Sequence, residues 1–148
     1  MLYFLLFYFL DKPSMVKMWV AASSLIIYTV FMAKAVNDQR ALQEDIISFR
    51  EAISVAFLTF IIANAVYCVF YFFIMKSDPE LVETLKQTSI EFYQWILQDQ
   101  NPEEIKKSFD GFEVNFSTVL LSFARGAING FILSLLIAGT MRRGKRIK

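Results

Sequence analysis

The sequence predicts an all-α integral membrane protein: a four-helix transmembrane bundle, first helix truncated, with an extracytoplasmic amphipathic helical hairpin between the third and fourth spans. Three observations predict it. The stretch from Ala52 to Met75 runs 24 residues without a charge. As a helix it is about 36 Å long, enough to cross a hydrocarbon core of about 30 Å with some tilt. The chain is 56% hydrophobic with a mean hydropathy of +0.46, too apolar for a soluble core of 148 residues. Two helix-start signals, Asp78-Pro79-Glu80 and Asn101-Pro102-Glu103-Glu104, follow one another in the polar segment between the last two apolar runs. The whole chain, 1–148, reads as one membrane domain.

The first ten residues, MLYFLLFYFL, are wholly apolar, but as a helix they cover only about 15 Å. They read as a partial span, 1–10, whose missing half was lost to a late start codon or a fragment boundary; the alternative is an interfacial aromatic plug. A signal peptide would bring a positive n-region and small residues at a cleavage site, and neither precedes Asp11-Lys12-Pro13. Between Lys17 and Lys34 lie 16 uncharged residues with Trp19 placed as an interfacial anchor, and lysines at such ends can snorkel. This predicts a second span over 18–36. Ser48 precedes Glu51 at capping-box spacing, so the third helix begins near Phe49 and enters the lipid as the span 52–75.

In the polar excursion Asp78 serves as N-cap, Pro79 sits where its missing N–H is harmless, and Glu80 meets the positive end of the helix dipole. The helix 79–99 is amphipathic. Leu81, Leu85, Phe92 and Ile96 fall in one arc flanked by Val82 and Trp95, polar residues gather opposite, and Ile90 is a stray. Its polar side is acidic, which argues against docking on anionic lipid and for its own bundle, a partner or a neutral interface. Leu85, Phe92, Trp95 and Ile96 are the candidate partner-binding face. A shorter helix, 102–110, carries Ile105 and Phe109 and should end at Gly111. The last span, 117–141, holds Ser122, Gly126, Gly130, Ser134 and Ala138 at every fourth position. Such a small-residue ladder lets another helix backbone approach closely, more commonly one of the same chain than a second copy.

Basic residues near helix ends set the orientation. Lys34, Arg40, Arg50 and five tail residues, Arg142, Arg143, Lys145, Arg146 and Lys148, lie on one side. Six lysines are spread over a longer stretch on the other. Both termini are therefore expected inside, with the hairpin outside.

The chemistry-bearing residues are few. Apart from Lys34, close to the end of the second span, Arg125 is the one charge within a predicted span. If the last two spans pack antiparallel, it comes level with Tyr67, with Asn129 near Asn64, while Asn64, Tyr67 and Tyr71 share a helical face. The expectation is an intramembrane polar cluster of Arg125, Asn129, Asn64, Tyr67 and Tyr71 that locks two helices or holds a small anion or lipid head group; the alternative is that Arg125 snorkels to the outer surface. With no histidine, no Gly-rich phosphate loop, and one cysteine, Cys68, in an apolar run, the sequence shows no catalytic constellation, cofactor site or metal set. The scattered acidic residues read as solvated helix surface, and the basic tail reads as an orienting charge rather than a nucleic-acid contact.

The order of features, ISFREA entering a long apolar helix, SDPELVETL leaving it, an acidic amphipathic segment and a final helix ending GFILSLLIAGTMRRGK, resembles the bacterial domain-of-unknown-function family numbered 4199. The resemblance covers roughly Leu10 to Lys145. It implies a four-span protein of the bacterial cytoplasmic membrane, mainly in Bacteroidota, with a full-length first helix, and it transfers no activity. From the exposed amphipathic pair and the helix-packing ladder, the expected function is a non-enzymatic structural or accessory subunit that binds a partner protein, multi-pass in the cytoplasmic (inner) membrane with its C-terminus cytoplasmic. Its partners are the lipid bilayer, a membrane or periplasmic protein, and in some readings a second copy. The rival is a small homo-oligomeric transporter or channel with Arg125, Asn129 and Asn64 along its path.

Overall fold

The structure, a computed structural model, describes residues 2–44, 46–99 and 101–141, and these are all-helical apart from turns and connections. The basic tail 142–148, on which the orientation argument leans, lies outside the described residues. In chain order the helices are α1 (Leu2–Leu10), α2 (Lys12–Met15), α3 (Met18–Leu42), α4 (Phe49–Ser77), α5 (Pro79–Ile96), α6 (Pro102–Ser108) and α7 (Phe116–Met141). Three of them, α3, α4 and α7, are long and apolar enough to cross a membrane.

Local chemistry sets the helix ends. α4 begins in a capping box, with Ser48 Oγ accepting from the Glu51 N–H and the Glu51 carboxylate accepting from the Ser48 N–H. α5 starts on Asp78, whose side chain accepts from the Leu81 N–H, and α6 on Asn101, which accepts from the Glu103 N–H. α3 runs six residues past Val36, because Asn37 to Leu42 continue the helix on exposed polar contacts. Lys34 Nζ lies 2.6 Å from Asp38 Oδ2, and Arg40 donates to Asn37 Oδ1 at 2.7 Å. α5 stops at Ile96 rather than at 99, and α6 at Ser108 rather than at 110. Gly111, at a φ of +76°, turns the chain toward α7 in a conformation that favours glycine.

α4 and α7 form the central antiparallel pair. Ala52, Ala56, Phe60, Asn64 and Cys68 are buried along α4 at every fourth residue. On α7, Gly130, Ser134 and Ala138 are buried on the facing ridge. A Cβ built on Gly126 would lie 2.7 Å from Asn64 Nδ2, and one on Gly130 would lie 2.1 Å from Phe60 Cδ1. The two meetings share one antiparallel register. α3 closes the pair at the α3–α4 turn, where Met32, Val36, Ile47, Ala52, Ala56, Phe60, Ile137 and Ala138 make one core cluster. A second cluster, Phe4, Met15, Val20, Met75 and Leu81, lies at the hairpin end. It holds α1, α2 and the base of α5.

Elsewhere the helices expose apolar surface. α4 turns out Leu58, Ile62, Val66, Val69 and Phe73, and α7 turns out Ile128, Phe131, Ile132 and Leu136. Such continuous apolar stripes on long helices are what a surrounding hydrocarbon requires.

Candidate functional site

The sequence spacing groups five residues as one polar cluster; the structure distributes them over three places. Asn64 is buried on α4 and donates from Nδ2 to the backbone carbonyl of Phe123 on α7 at 3.2 Å. The Cys68 thiol donates weakly to Asn64 Oδ1 at 3.9 Å. Glycine at 126 leaves the room for this amide, so the ladder and the asparagine form one device, an interhelical hydrogen bond made where the backbones approach closely.

Tyr67 and Tyr71 stack at a tilt, ring centroids 5.7 Å apart, and Tyr67 also meets Phe4 of α1 at 4.8 Å. Arg125 does not reach Asn64. It is exposed, and it borders a groove of about 190 Å³ with Tyr71, Phe112, Thr118 and Ser122. Asn129 is exposed on the same side of α7. Gly126, and not Asn129, stands opposite Asn64, so the helix phase carries Asn129 and Arg125 away from Asn64, while Arg125 keeps Tyr71 of α4 as a neighbour in the groove. Ser122, the remaining ladder position, is exposed and returns its hydroxyl to the Thr118 carbonyl.

On α5, Leu85 packs against the hairpin-end cluster. Phe92 and Trp95 stack with centroids 6.3 Å apart and planes 27° from parallel; Trp95 is 70% exposed and Ile96 51%. Ile90, the stray of the wheel, is buried. It points away from Leu81, and α6 folds back with Tyr93 and Phe109 in ring contact at 5.6 Å. A single-helix wheel carries no signal of that second partner.

Two features have no counterpart in the sequence reading. Lys12 Nζ lies 2.6 Å from Asp78 Oδ2, and Tyr8 donates to the same oxygen at 3.3 Å. This ties the α1–α2 corner to the α4–α5 joint. The Lys12 hydrogen bond is the main cause that holds the Asp78 carboxyl below its ordinary value of 3.8; the Leu81 N–H and Tyr8 add to it against a smaller desolvation effect. Lys12 is raised by the same bond. The residues are 66 positions apart, and nothing local announces the pairing. The second feature is a cavity of about 330 Å³ between α1, α3 and α4, lined by Phe4, Tyr28, Thr59, Phe60, Ala63 and Tyr67 among others.

Among the described residues no three His, Cys, Asp or Glu side chains come together as a metal set. Comparison with curated proteins and with solved structures returned no match. A family model described as "Protein of unknown function (DUF4199)" matches residues 1–143, and the chain belongs to that family.

Proposed function

We propose that the protein is a non-enzymatic accessory subunit of a bacterial cytoplasmic membrane, holding a partner protein through the α5–α6 hairpin on the extracytoplasmic side. The carrying observation is the exposed Phe92–Trp95 stack with Ile96 beside it, on a helix whose base is fastened to the bundle through Leu81. Large aromatic side chains left uncovered on an anchored helix are the usual anchors of protein interfaces. Between Asp78 and Glu113 there are nine acidic and three basic side chains, a net charge of −6. The partner this suits presents an apolar strip rimmed by lysine and arginine, and the same charge disfavours an anionic membrane surface.

In this reading α1 lies in the membrane beside the spans, at the hairpin end. Its contacts at bundle depth, Phe4 on Tyr67, Phe7 on Trp19 and Tyr3 on Ser23, support that placement. The basic residues Lys34, Arg40 and Arg50 support a cytoplasmic α3–α4 turn and C-terminus.

The test is a photo-crosslinking amino acid in place of Trp95 in cells, followed by mild detergent extraction. A discrete protein adduct, lost when Phe92→Ser and Ile96→Ser are added, is expected. Adducts to lipid alone, or only to a second copy, would overturn the reading, and the second result would move attention to the oligomeric transporter.

A further inference from the structure

Arg125 and Asn129 stand four residues apart on α7, about 100° and 60° around the helix from Gly126, the residue that meets α4. Both are exposed, and neither makes a hydrogen bond or ion pair with another side chain among the described residues. α7 is long and apolar enough to cross a membrane, so within the membrane reading Asn129 faces lipid and Arg125 lies at the mouth of the groove it shares with Tyr71 and Phe112.

Depth decides what can satisfy them. α7 has 26 residues and is about 39 Å long, so it overhangs a hydrocarbon core of about 30 Å by about 4 Å at each end. Arg125 leaves the helix about 13 Å from Phe116, and Asn129 about 20 Å from it, at the middle of the span. The long arginine side chain can lean toward the head groups. The short asparagine side chain cannot, and an unpartnered amide in hydrocarbon is unfavourable, as is a guanidinium held there without a counter-charge.

Among the described residues no acidic side chain pairs with Arg125, although Glu113 lies in the chain between Phe112 and Val114, which line the same groove. The chain's acidic residues stand at or beyond the span ends; 18–37, 52–77 and 116–141 contain none. A second copy placed against this stripe would set Arg125 beside another Arg125. We propose that the stripe docks a membrane-spanning helix of a different protein, one that carries a carboxylate at the level of Arg125, with the Asn129 amide hydrogen-bonding to the same helix one turn deeper. A guanidinium and a carboxylate satisfy one another through paired N–H···O bonds, and the low dielectric of the surrounding hydrocarbon strengthens the pairing. The inference rests on the accessory-subunit reading and states the partner's chemistry inside the membrane.

The experiment uses the full chain in phosphatidylcholine vesicles and a synthetic polyleucine membrane helix carrying one Glu about 13 Å from its dansyl-labelled end. Energy transfer from Trp19 and Trp95 reports association. The Glu peptide is expected to bind about tenfold more tightly than its Gln or all-Leu versions. Arg125→Leu should abolish that preference, Arg125→Lys should keep part of it, and Asn129→Leu should weaken binding of all three peptides. Equal binding of the three peptides to the unaltered protein, or a Glu preference that survives Arg125→Leu, overturns the proposal. The peptide comparison on the unaltered protein decides the matter even if a variant fails to fold. A Glu preference without a protein adduct at position 95 overturns the hairpin reading alone, and an adduct there without a Glu preference overturns this one alone.

Discussion

A methyl group at position 130 would lie 2.1 Å from Phe60 Cδ1 and 2.4 Å from Cε1, closer than carbon atoms can stand. The ring cannot step aside freely, since Phe60 is 3% exposed and held against Tyr28 at 5.3 Å. Gly130→Ala should therefore destabilise the protein by about 1–3 kcal/mol through overpacking. Adding Phe60→Leu should return part of the loss, and Gly139→Ala, which meets nothing within 4 Å, should leave the melting temperature nearly unchanged. Thermal melting in detergent of the four proteins checks this, and a Gly130→Ala protein as stable as the parent would show that the helices can separate at no penalty. The ladder was legible as a run of small residues at every fourth position. Its partner was not, because Phe60 reads in the sequence as one more apolar residue of a long apolar run, and only the register shows that glycine and phenylalanine fill one another's space.

At the scale of elements, the joint between α4 and α5 turns on Asp78, which caps α5, receives Lys12 and Tyr8, and is 8% exposed. Its carboxyl is depressed by Lys12, so its contribution to stability is present above the ordinary value of 3.8 and is lost as pH falls through the lower, folded value. Lys12 is raised, so its side of the pair is fully present below 10.5 and is lost only as pH rises past its folded value. The latch thus holds across neutral pH. Asp78→Asn keeps an oxygen for the cap and removes the charge, so its melting temperature should lie below the parent's by a constant gap near neutrality, with the gap closing as pH drops below 3.8. A gap unchanged in acid would mean the charge plays no part. Asp78→Ala also loses the cap, which adds about 1 kcal/mol. The cap itself was legible from Asp-Pro-Glu. The ion pair was not, since α3 and α4 lie between the two residues. Helix phase was the other blind spot: counting levels along two helices placed Asn129 near Asn64, whereas the close approach at Gly126 fixes a face that turns Asn129 outward.

For the whole molecule, the architecture implies an uneven distribution of stability. α4 and α7 share the ladder, the Asn64 hydrogen bond and the α3–α4-turn cluster, so opening either breaks all three together. α5 is fastened mainly at its first turns, and α6 has seven residues held by buried Ile105 and the Tyr93–Phe109 contact. A helix that short is marginal without its packing. Amide hydrogen exchange in lipid nanodiscs should therefore be slowest in α4 and α7, faster along the second half of α5, and fastest in α6. Lipid excludes water from the spans, so the informative comparison is within the hairpin: the amides near Leu81 and Leu85 should exchange more slowly than those near Trp95 and Ile96. Uniform protection along α5 would mean that the free hairpin is already rigid to its tip. The partner proposed for the Phe92–Trp95 edge should slow exchange at that tip selectively and leave Leu81 as it was, whereas a carboxylate-bearing helix on the Arg125 stripe should leave the hairpin unchanged. The two docking surfaces are thus separable in one exchange experiment, because they sit on units of the fold that open independently.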